Sequence, residues 1–340
     1  MTGDKHDTHA LVGTLVVAAL SVALLVRHWR HMTRFSLQGR VVVITGGARG
    51  IGRQLARRIL IAAPLSTVVL LDIDGDALQL TQKELLADAK DEQKRVLAYE
   101  CDVSDESAVR ACVAQISKAV APQTVSVLVN NAGIVSGASV DHLTARQVRR
   151  TLEVNTLGQI WMTQAVLPLL KASDDGAMIV TVASVMGMIS GANLADYCAS
   201  KAAVSAFHEC CFVATVRLEL WRDGFSKVKS LLVCPNAVET GMFEGIMGGC
   251  DITAWLSRLL LPATSEKDAA ERIYDAIVRD EKLVVSCYTG WRGLVVPWLP
   301  SIARLLPVSW FDFIVYLGGG MHGMDTFVGR HGAQKAKKGA

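Results

Sequence analysis

The chain has 340 residues, of which 51% are hydrophobic and 20% are charged, so it can bury one large core or two smaller ones. Its formal net charge of +3, without a basic tract interleaved with aromatic residues, argues against nucleic acid as a partner. None of the eight cysteines forms a pair with the two-residue gap of a zinc knuckle or a redox dithiol. We therefore expect reduced, packed thiols and no metal site.

Residues 10–26 form an uncharged run of 17 residues that is rich in Leu, Val and Ala. As a helix this run would be about 26 Å long, slightly short of the ~30 Å hydrocarbon core of a bilayer. Arg27, Arg30 and Arg34 follow it without a small-residue cleavage site, which favours a retained anchor over a cleaved signal peptide or a core helix. The arginines predict that the rest of the chain lies in the cytosol. The anchor would hold it at the endoplasmic-reticulum membrane, or on lipid droplets if the helix occupies only one leaflet.

From residue 40 onward, short apolar runs alternate with longer stretches that have room for a helix. The runs consist mostly of Val, Leu and Ile without polar alternation, which is typical of strands covered on both faces. Seven strands are predicted in this way, at residues 40–45, 67–72, 96–101, 125–129, 177–183, 228–234 and 282–287. The alternation predicts an α/β fold of the Rossmann type, a doubly wound, seven-stranded parallel sheet within one domain of residues 36–290.

The first predicted strand leads into the sequence TGGARGIG at residues 45–52, after which a helix is predicted. Glycines at these positions let the backbone turn tightly and approach a pyrophosphate, which then lies at the helix N-terminus. The strand-to-helix context makes this pattern indicative of a dinucleotide site. The residues expected to contact the cofactor here are Gly46, Arg49, Gly50, Ile51 and Gly52.

Asp72 follows Gly52 by 20 residues, at the end of the second predicted strand. A carboxylate there accepts hydrogen bonds from the adenosine ribose hydroxyls and repels a 2′-phosphate, which favours NAD. The alternative role is that of a helix cap, which Asp74 or Asp76 could equally fill. Arg49 has the opposite effect, because a cation in the loop could reach a 2′-phosphate and favour NADP. We expect the carboxylate to dominate, so that NAD is preferred and NADP is the alternative.

Further motifs follow along the chain in a definite order: Cys101-Asp102-Val103, then Asn130-Asn131-Ala132-Gly133, Asn155, Ser184, and Tyr197-Cys198-Ala199-Ser200-Lys201. Together with the glycine loop, these motifs resemble the short-chain dehydrogenase/reductase family over roughly residues 36–290. Within the family the chain is most similar to the membrane-bound retinol dehydrogenase and 17β-hydroxysteroid dehydrogenase branch. That closer similarity rests on the N-terminal anchor and on GIGRQLA at residues 50–56, NTLGQ at 155–159, DYCASK at 196–201 and MDTFVGR at 324–330.

The chemistry of alcohol oxidation requires a base for the hydroxyl proton and a hydride acceptor that faces the carbinol carbon. The ordinary pKa of a tyrosine such as Tyr197, about 10, is too high for an efficient base. Lys201 lies one helical turn later, and its charge and that of the nicotinamide ring would lower this pKa. Ser184 would hydrogen-bond the substrate oxygen. The resemblance implies that Asn155 positions a water that links Lys201 to solvent. Taken singly, each of these residues has an ordinary structural alternative; the set at these spacings favours catalysis.

The resemblance also implies contacts at the two ends of the cofactor. Asp102 and Val103 would meet the adenine ring, the alternative being a plain helix N-cap at Asp102. Residues 130–133 would lie against the adenosine side, the alternative being a turn without ligand contact. The cofactor contacts expected from this second motif are Asn131, Ala132 and Gly133.

The loop after the sixth strand departs from the family pattern, since many members have Pro-Gly where this chain has Pro235 and Asn236. Asn tolerates unusual backbone angles, so we expect the loop to form. Pro235, Val238 and Thr240 are assigned to the nicotinamide end, with Thr240 bonding the carboxamide.

Residues 291–317 are apolar again, with six aromatic side chains and prolines at 297, 300 and 307. Three prolines argue against a second straight transmembrane helix, so short helices lying on membrane lipid fit better. The alternative is ordinary core or the contact surface of a homodimer. These expectations divide the chain into an anchor with its basic flank, a catalytic domain and an apolar, membrane-associated extension, at residues 1–35, 36–290 and 291–340.

The sequence therefore predicts an oxidoreductase that interconverts a lipophilic alcohol, of the retinol, steroid or fatty-alcohol type, and its carbonyl compound. A substrate dissolved in the bilayer could enter such a site without crossing water. Two alternatives stay open: an NADPH-dependent carbonyl reductase, and a non-catalytic lipid-associated binding protein. The intact set of Tyr197, Lys201, Ser184 and Asn155 argues against the second of these.

Overall fold

The structure, a computed structural model, describes residues 34–88, 95–210, 218–219, 222–225, 227–243, 262–317, 324 and 327. The anchor predicted at residues 10–26 lies outside these residues, and so does most of its basic flank. Among the residues that the structure describes, none of the helices combines the length and the apolar character needed to cross a membrane.

Seven parallel strands form a single sheet in the order β3-β2-β1-β4-β5-β6-β7. They are β1 Val41–Thr45, β2 Thr67–Asp72, β3 Val96–Glu100, β4 Val125–Asn130, β5 Ala177–Val182, β6 Val228–Cys234 and β7 Leu283–Val285. All seven predicted strands are confirmed, with small differences at their ends. The order reverses between β1 and β4, and such a switch point opens a crevice at the carboxyl ends of the strands.

Helices connect the strands and cover both faces of the sheet. They are α1 Gly50–Ala62, α2 Gly75–Asp88, α3 Glu106–Val120, α4 Ala145–Leu152, α5 Gly158–Lys171, α6 Ala195–Phe207, α7 Glu266–Val278, α8 Gly290–Val295, α9 Leu299–Ala303 and α10 Val308–Leu317. A π-helical turn, Glu153–Leu157, joins α4 to α5, and it was not predicted. Single π-helical turns inside longer helices occur often at functional sites.

Two apolar cores lie on opposite faces of the sheet, because successive strand residues point in opposite directions. Ile44 of β1 belongs to the core that Leu55 of α1 and Ile273 of α7 complete. Val43 belongs to the other core, with Ile116 of α3 and Met162 of α5. The central strands are fully buried in this way, which fixes the positions of the loops at their carboxyl ends.

Residues 290–317 form mainly short helices, as the proline positions predicted. α8 leads through a 3₁₀ turn, Val296–Trp298, into α9. α10 follows Pro307, whose carbonyl accepts hydrogen bonds from the backbone N–H of Trp310 and Phe311. Much of the apolar surface of this region is exposed, in contrast to that of α1 to α7.

Candidate active site

A pocket opens at the carboxyl ends of the strands. It brings together the glycine loop and the residues around Tyr197, which are far apart in the sequence. Of the eighteen residues predicted to form the site, sixteen line this pocket. They are Gly46, Arg49, Gly50, Ile51, Asp72, Asp102, Val103, Asn131, Ala132, Gly133, Ser184, Tyr197, Lys201, Pro235, Val238 and Thr240. Gly52 and Asn155 are the two that do not line it.

Gly52 lies behind the glycine loop, where α1 packs against it. A Cβ atom at this position would be 2.3 Å from the carbonyl oxygen of Gly46 and 2.9 Å from Nδ2 of Asn131. No side chain fits at such distances, so glycine is required here for close helix–loop packing. Gly52 thus shapes the pocket from outside.

Asn155 sits in the π-helical turn and is fully buried behind the pocket wall. Its Oδ1 accepts a hydrogen bond from the backbone N–H of Ile134 (2.8 Å), and its Nδ2 donates to the Ile134 carbonyl (2.9 Å) and to Oγ of Ser200 (2.9 Å). A Cβ atom on Gly133 would lie 3.3 Å from this Oδ1 and 3.5 Å from Nζ of Lys201, so the amide and the ammonium approach the same point. The amide therefore holds the β4 loop against α6 beside Lys201.

Tyr197 and Lys201 lie on the same face of α6, where their spacing of four residues places them one turn apart. Both are buried, and Nζ of Lys201 donates to the carbonyl of Val182 at the end of β5 (3.0 Å). Ser184 follows β5, and its Oγ accepts from the backbone N–H of Met186 (3.1 Å). This short turn faces α6 so closely that a Cβ atom on Gly187 would lie 2.8 Å from the Lys201 carbonyl.

Burial moves the pKa values of the two central groups in opposite directions. It raises the pKa of Tyr197 to about 12, although a hydrogen bond from Ser184 acts to lower it. It lowers the pKa of Lys201 to about 8. Desolvation penalises the phenolate most, so the protein's own groups raise this pKa. The lowering predicted from the sequence also invokes the charge of the nicotinamide ring, so it stays a prediction.

The opposite end of the pocket carries carboxylates and two arginines that are already paired. Asp72 accepts hydrogen bonds from the backbone N–H of Ala48 and of Asp74, both 3.1 Å long. Arg49 donates to Asp74 over 2.6 Å. Each carboxylate oxygen of Asp72 has a second lone pair, so it can still accept from ribose hydroxyls. A 2′-phosphate would have to draw Arg49 away from Asp74.

Asp102 forms an ion pair with Arg150 across 3.1 Å, and both residues line the pocket. Burial acts to raise the pKa of Asp102, but hydrogen bonds from Ser104 and Arg150 outweigh it and lower the pKa. Asp102 therefore remains a carboxylate beside the expected adenine position.

The N-terminus of α1 is suited to a pyrophosphate. Arg49 is its N-cap residue and makes no side-chain capping bond, and the first turn contains no acidic residue. Gly46 and Gly50 both have positive φ angles, +64° and +59°, which lets the loop expose its backbone N–H groups. A nicotinamide dinucleotide therefore fits the residues present, with its phosphates at this helix end and its ribose at Asp72.

Asn236 replaces the common glycine after Pro235 without using a left-handed conformation, since its φ is not positive. Its Nδ2 donates to Oγ1 of Thr264 (2.7 Å), and its Oδ1 accepts from the backbone N–H of Cys287 (3.0 Å). The side chain thus ties the nicotinamide loop to the segments before α7 and after β7. Val238 also pairs with Thr264 in an isolated parallel bridge, which holds Thr240 opposite Gly50.

Several pocket residues were not predicted. In the sequence Arg150 belongs to a helix rich in basic residues, and no neighbouring residue indicates that it forms an ion pair with Asp102. The apolar residues Ile134, Val154, Met186, Leu194 and Met242 also line the pocket. Their positions depend on loop paths that hydrophobic patterning does not specify.

The fold and the pocket define an α/β oxidoreductase that binds a dinucleotide, and comparison with known proteins gives the family. Residues 40–248 match the family model of the short chain dehydrogenases. The chain is 33% identical to human epidermal retinol dehydrogenase 2 over 295 residues, which is 87% of each protein. It is 30% identical to estradiol 17-beta-dehydrogenase 11 of Macaca fascicularis over 274 residues, 81% of each.

Solved structures agree with this assignment. A short chain dehydrogenase/reductase from Burkholderia phymatum, in complex with NAD, superimposes with a TM-score of 0.63 at 26% identity, over 80% of this chain and 94% of that one. The chain therefore belongs to the short-chain dehydrogenase/reductase family, in which it resembles retinol and steroid dehydrogenases. It is a nicotinamide-dependent oxidoreductase that acts on CH–OH groups, as the sequence predicted.

Proposed function

We propose that this protein interconverts a lipophilic alcohol, of the retinol, steroid or fatty-alcohol type, and its carbonyl compound, with NAD as the preferred cofactor. The observation that carries the proposal is the polarity of the pocket. Carboxylates lie at one end, and Tyr197 lies at the other among apolar side chains such as Leu194 and Met186. The names of the relatives, retinol and estradiol dehydrogenases, support the same substrate class.

In the proposed reaction Tyr197 exchanges the proton with the substrate oxygen, while Ser184 holds that oxygen by a hydrogen bond. Lys201 favours the phenolate and holds the nicotinamide ribose. Asn155 acts from behind the pocket wall, where it fixes the loop after β4 beside Lys201. The cofactor supplies hydride transfer at the carbinol carbon when it is bound.

The preference for NAD rests on the charges at the adenosine end. Asp72 would face the ribose hydroxyls and would repel a 2′-phosphate. The cation that could compensate, Arg49, is committed to Asp74. Arg150 is committed to Asp102 in the same way. A reductase that uses NADPH would need at least one of these pairs to open.

Membrane association is part of the proposal, because the α8–α10 region exposes more apolar surface than water favours. Trp291, Trp298 and Trp310 are 60%, 67% and 65% exposed, and Leu305 is 85% exposed. Isolated exposed apolar residues are ordinary, but so many large apolar side chains exposed within one short stretch of chain indicate an interaction site. Short helices with exposed tryptophans suit the interface of a bilayer. We propose that residues 1–35 anchor the chain, that 36–290 form the cytosolic catalytic domain, and that 291–340 rest on the endoplasmic-reticulum membrane.

The experiment that tests the proposed function is a substrate panel run on membrane preparations. Retinoids, steroids and fatty alcohols are each supplied with NAD or NADP, and the corresponding carbonyls with NADH or NADPH. We expect at least one lipophilic alcohol to be oxidised with a higher kcat/KM for NAD than for NADP. A protein that turns over none of these alcohols or carbonyls with either cofactor is not the enzyme proposed.

A further inference from the structure

Two residues of the C-terminal motif MDTFVGR, Met324 and Phe327, lie beside the pocket although they are far along the sequence. Met324 is buried, with 5% of its surface exposed, and it packs in one apolar cluster with Leu194 and Tyr197. Phe327 packs against the same cluster, and its backbone N–H donates to the Met324 carbonyl (3.0 Å), so the two residues form one turn. This turn therefore lies directly beside the proton-transferring tyrosine.

The ring of Phe327 rests on the backbone of Gly137, in the loop that follows β4. A Cβ atom at Gly137 would lie 2.2 Å from Cδ1 and 2.3 Å from Cε1 of that ring, so no side chain larger than hydrogen fits while the ring stays. The φ angle of Gly137 is +67°, which also disfavours other residues. Val135, in the same loop, packs against the cluster as well.

Met324 and Phe327 are not among the residues that line the pocket, but they pack against residues that do. Leu194 and Met186 line the pocket together with Tyr197, and both touch the cluster that includes Met324 and Phe327. The carboxylates that line the pocket, Asp72 and Asp102, belong to its adenosine end. A hydrocarbon chain attached to a carbinol at Tyr197 would therefore run along Leu194 toward Phe327.

We propose that Met324 and Phe327, seated on Gly137, form the outer wall of the substrate site and select substrates with a long apolar body. This inference rests on the proposed function, because it assigns the place where the lipophilic part of the alcohol is held. The two residues are specificity determinants that contact the substrate away from its reacting carbon. They are 127 and 130 residues beyond Tyr197 in the sequence, so the wall joins distant parts of the chain.

The test measures binding, so that it does not depend on turnover. Decan-1-ol and butan-1-ol are titrated into the full-length protein with bound NADH, and the change in NADH fluorescence reports the Kd of each alcohol. For Phe327→Ala we expect the Kd of decan-1-ol to rise at least about tenfold, because a buried aromatic contact is lost, while butan-1-ol changes less than about twofold. Phe225→Ala is the matched control, since that ring covers Lys171 on another part of the surface.

A second pair of variants tests the contact between Phe327 and Gly137. Gly137→Ala places a methyl group where the ring lies, so it should weaken decan-1-ol as strongly as Phe327→Ala does. The double variant should be no weaker than Phe327→Ala alone, because the wall has then already been removed. NADH affinity and the melting temperature establish that each variant is folded; if Gly137→Ala fails to fold, Phe327→Ala decides alone.

The outcomes separate this inference from the proposed function. Wild-type protein that fails to bind decan-1-ol, or Phe327→Ala that binds it unchanged, overturns the inference. Equal losses for the long and the short alcohol also overturn it, since the effect is then not on the apolar body. A wild-type protein that binds decan-1-ol through Phe327 but oxidises no alcohol contradicts the proposed function and still supports the assignment of Met324 and Phe327 as the outer wall.

Discussion

Nζ of Lys201 lies 5.8 Å from the centre of the Tyr197 ring, and both side chains are buried on one face of α6. Their pKa values move in opposite directions, up for the tyrosine and down for the lysine, because burial penalises whichever form is charged. The protein therefore holds Tyr197 protonated at neutral pH. We infer that alcohol oxidation needs the positive charges of both Lys201 and bound NAD to make Tyr197 a base, whereas carbonyl reduction finds the proton already in place.

The pH dependence of stability follows from Lys201. Its pKa is lowered from 10.5 to about 8 in the folded protein, so between these values the unfolded chain binds more protons at this group. The free energy of unfolding therefore rises with pH in that window. Replacing the group by Lys201→Met removes this rise. We expect the difference between wild type and variant to change by about 2 kcal/mol in favour of the wild type from pH 7 to pH 9.5.

Urea denaturation of the two proteins at both pH values, without added cofactor, measures this difference. Near pH 7 the variant should be the more stable of the two, because a buried charge has been removed. Lys267→Met serves as a control for the loss of a lysine charge on α7. A difference between wild type and Lys201→Met that stays constant with pH would show that Lys201 is not desolvated as described.

Cofactor preference depends on Asp72. Asp72→Asn removes the charge but keeps the shape, so the ratio of kcat/KM for NAD to that for NADP should fall at least about tenfold. Asp76→Asn, an equal change of charge at an exposed position of α2, should leave the ratio unchanged. A wild-type enzyme that prefers NADP, or an Asp72→Asn variant with an unchanged ratio, would contradict this assignment.

The ion pair between Arg49 and Asp74 gives a second, independent prediction about the cofactor. Asp74→Asn leaves Arg49 without its carboxylate partner, so the cation becomes available to a 2′-phosphate. We expect the KM for NADP to fall several-fold while the KM for NAD changes little. The double variant with Arg49→Ala should lose this gain; if it keeps the gain, Arg49 is not the phosphate contact.

Membrane attachment is tested by flotation with vesicles. The triple variant Trp291→Ser, Trp298→Ser and Trp310→Ser should bind lipid vesicles more weakly, by about tenfold or more, once residues 1–27 are deleted from both proteins. The control replaces three equally exposed apolar residues elsewhere with serine, namely Ile61, Leu65 and Leu80. Equal binding of the two triple variants would make the α8–α10 surface a protein contact instead.

The topology has its own test in intact microsomes. We expect added protease to digest the catalytic domain, because the arginines after residue 26 should keep it on the cytosolic side. Alkaline washing should leave the full-length protein in the pellet. Protection of the catalytic domain without detergent would reverse the topology, and release by salt alone would mean that residues 10–26 are not an integral anchor.

The sequence predicts most of the fold because buried parallel strands are nearly continuous apolar runs. Each run of Val, Leu and Ile, such as residues 41–45, has to lie inside the sheet, and its ends follow from the polar or glycine residues around it. The cofactor side was predicted for the same reason, since Gly46 and Asn131 directly follow strands and Asp72 is the last residue of one. Their roles in catalysis and binding stay predictions.

The parts that escaped prediction depend on contacts between distant segments. The π-helical turn around Asn155 has no signature in hydrophobic periodicity. The raised pKa of Tyr197 follows from its burial, which appears only when α6 packs against the turn after β5. The contact between Gly137 and Phe327 joins positions that are 190 residues apart, and neither residue type indicates that the contact forms.

The most direct test of the proposed chemistry compares Tyr197→Phe with the wild type, on the lipophilic alcohol that the wild type oxidises best with NAD. Removing one oxygen atom leaves the ring in its apolar cluster, so folding and the Kd for NADH should stay within about twofold. Turnover should fall at least about 100-fold, because the only group lost is the one that transfers the proton. A variant that binds NADH normally and keeps near-normal turnover would show that Tyr197 is not the proton-transferring residue.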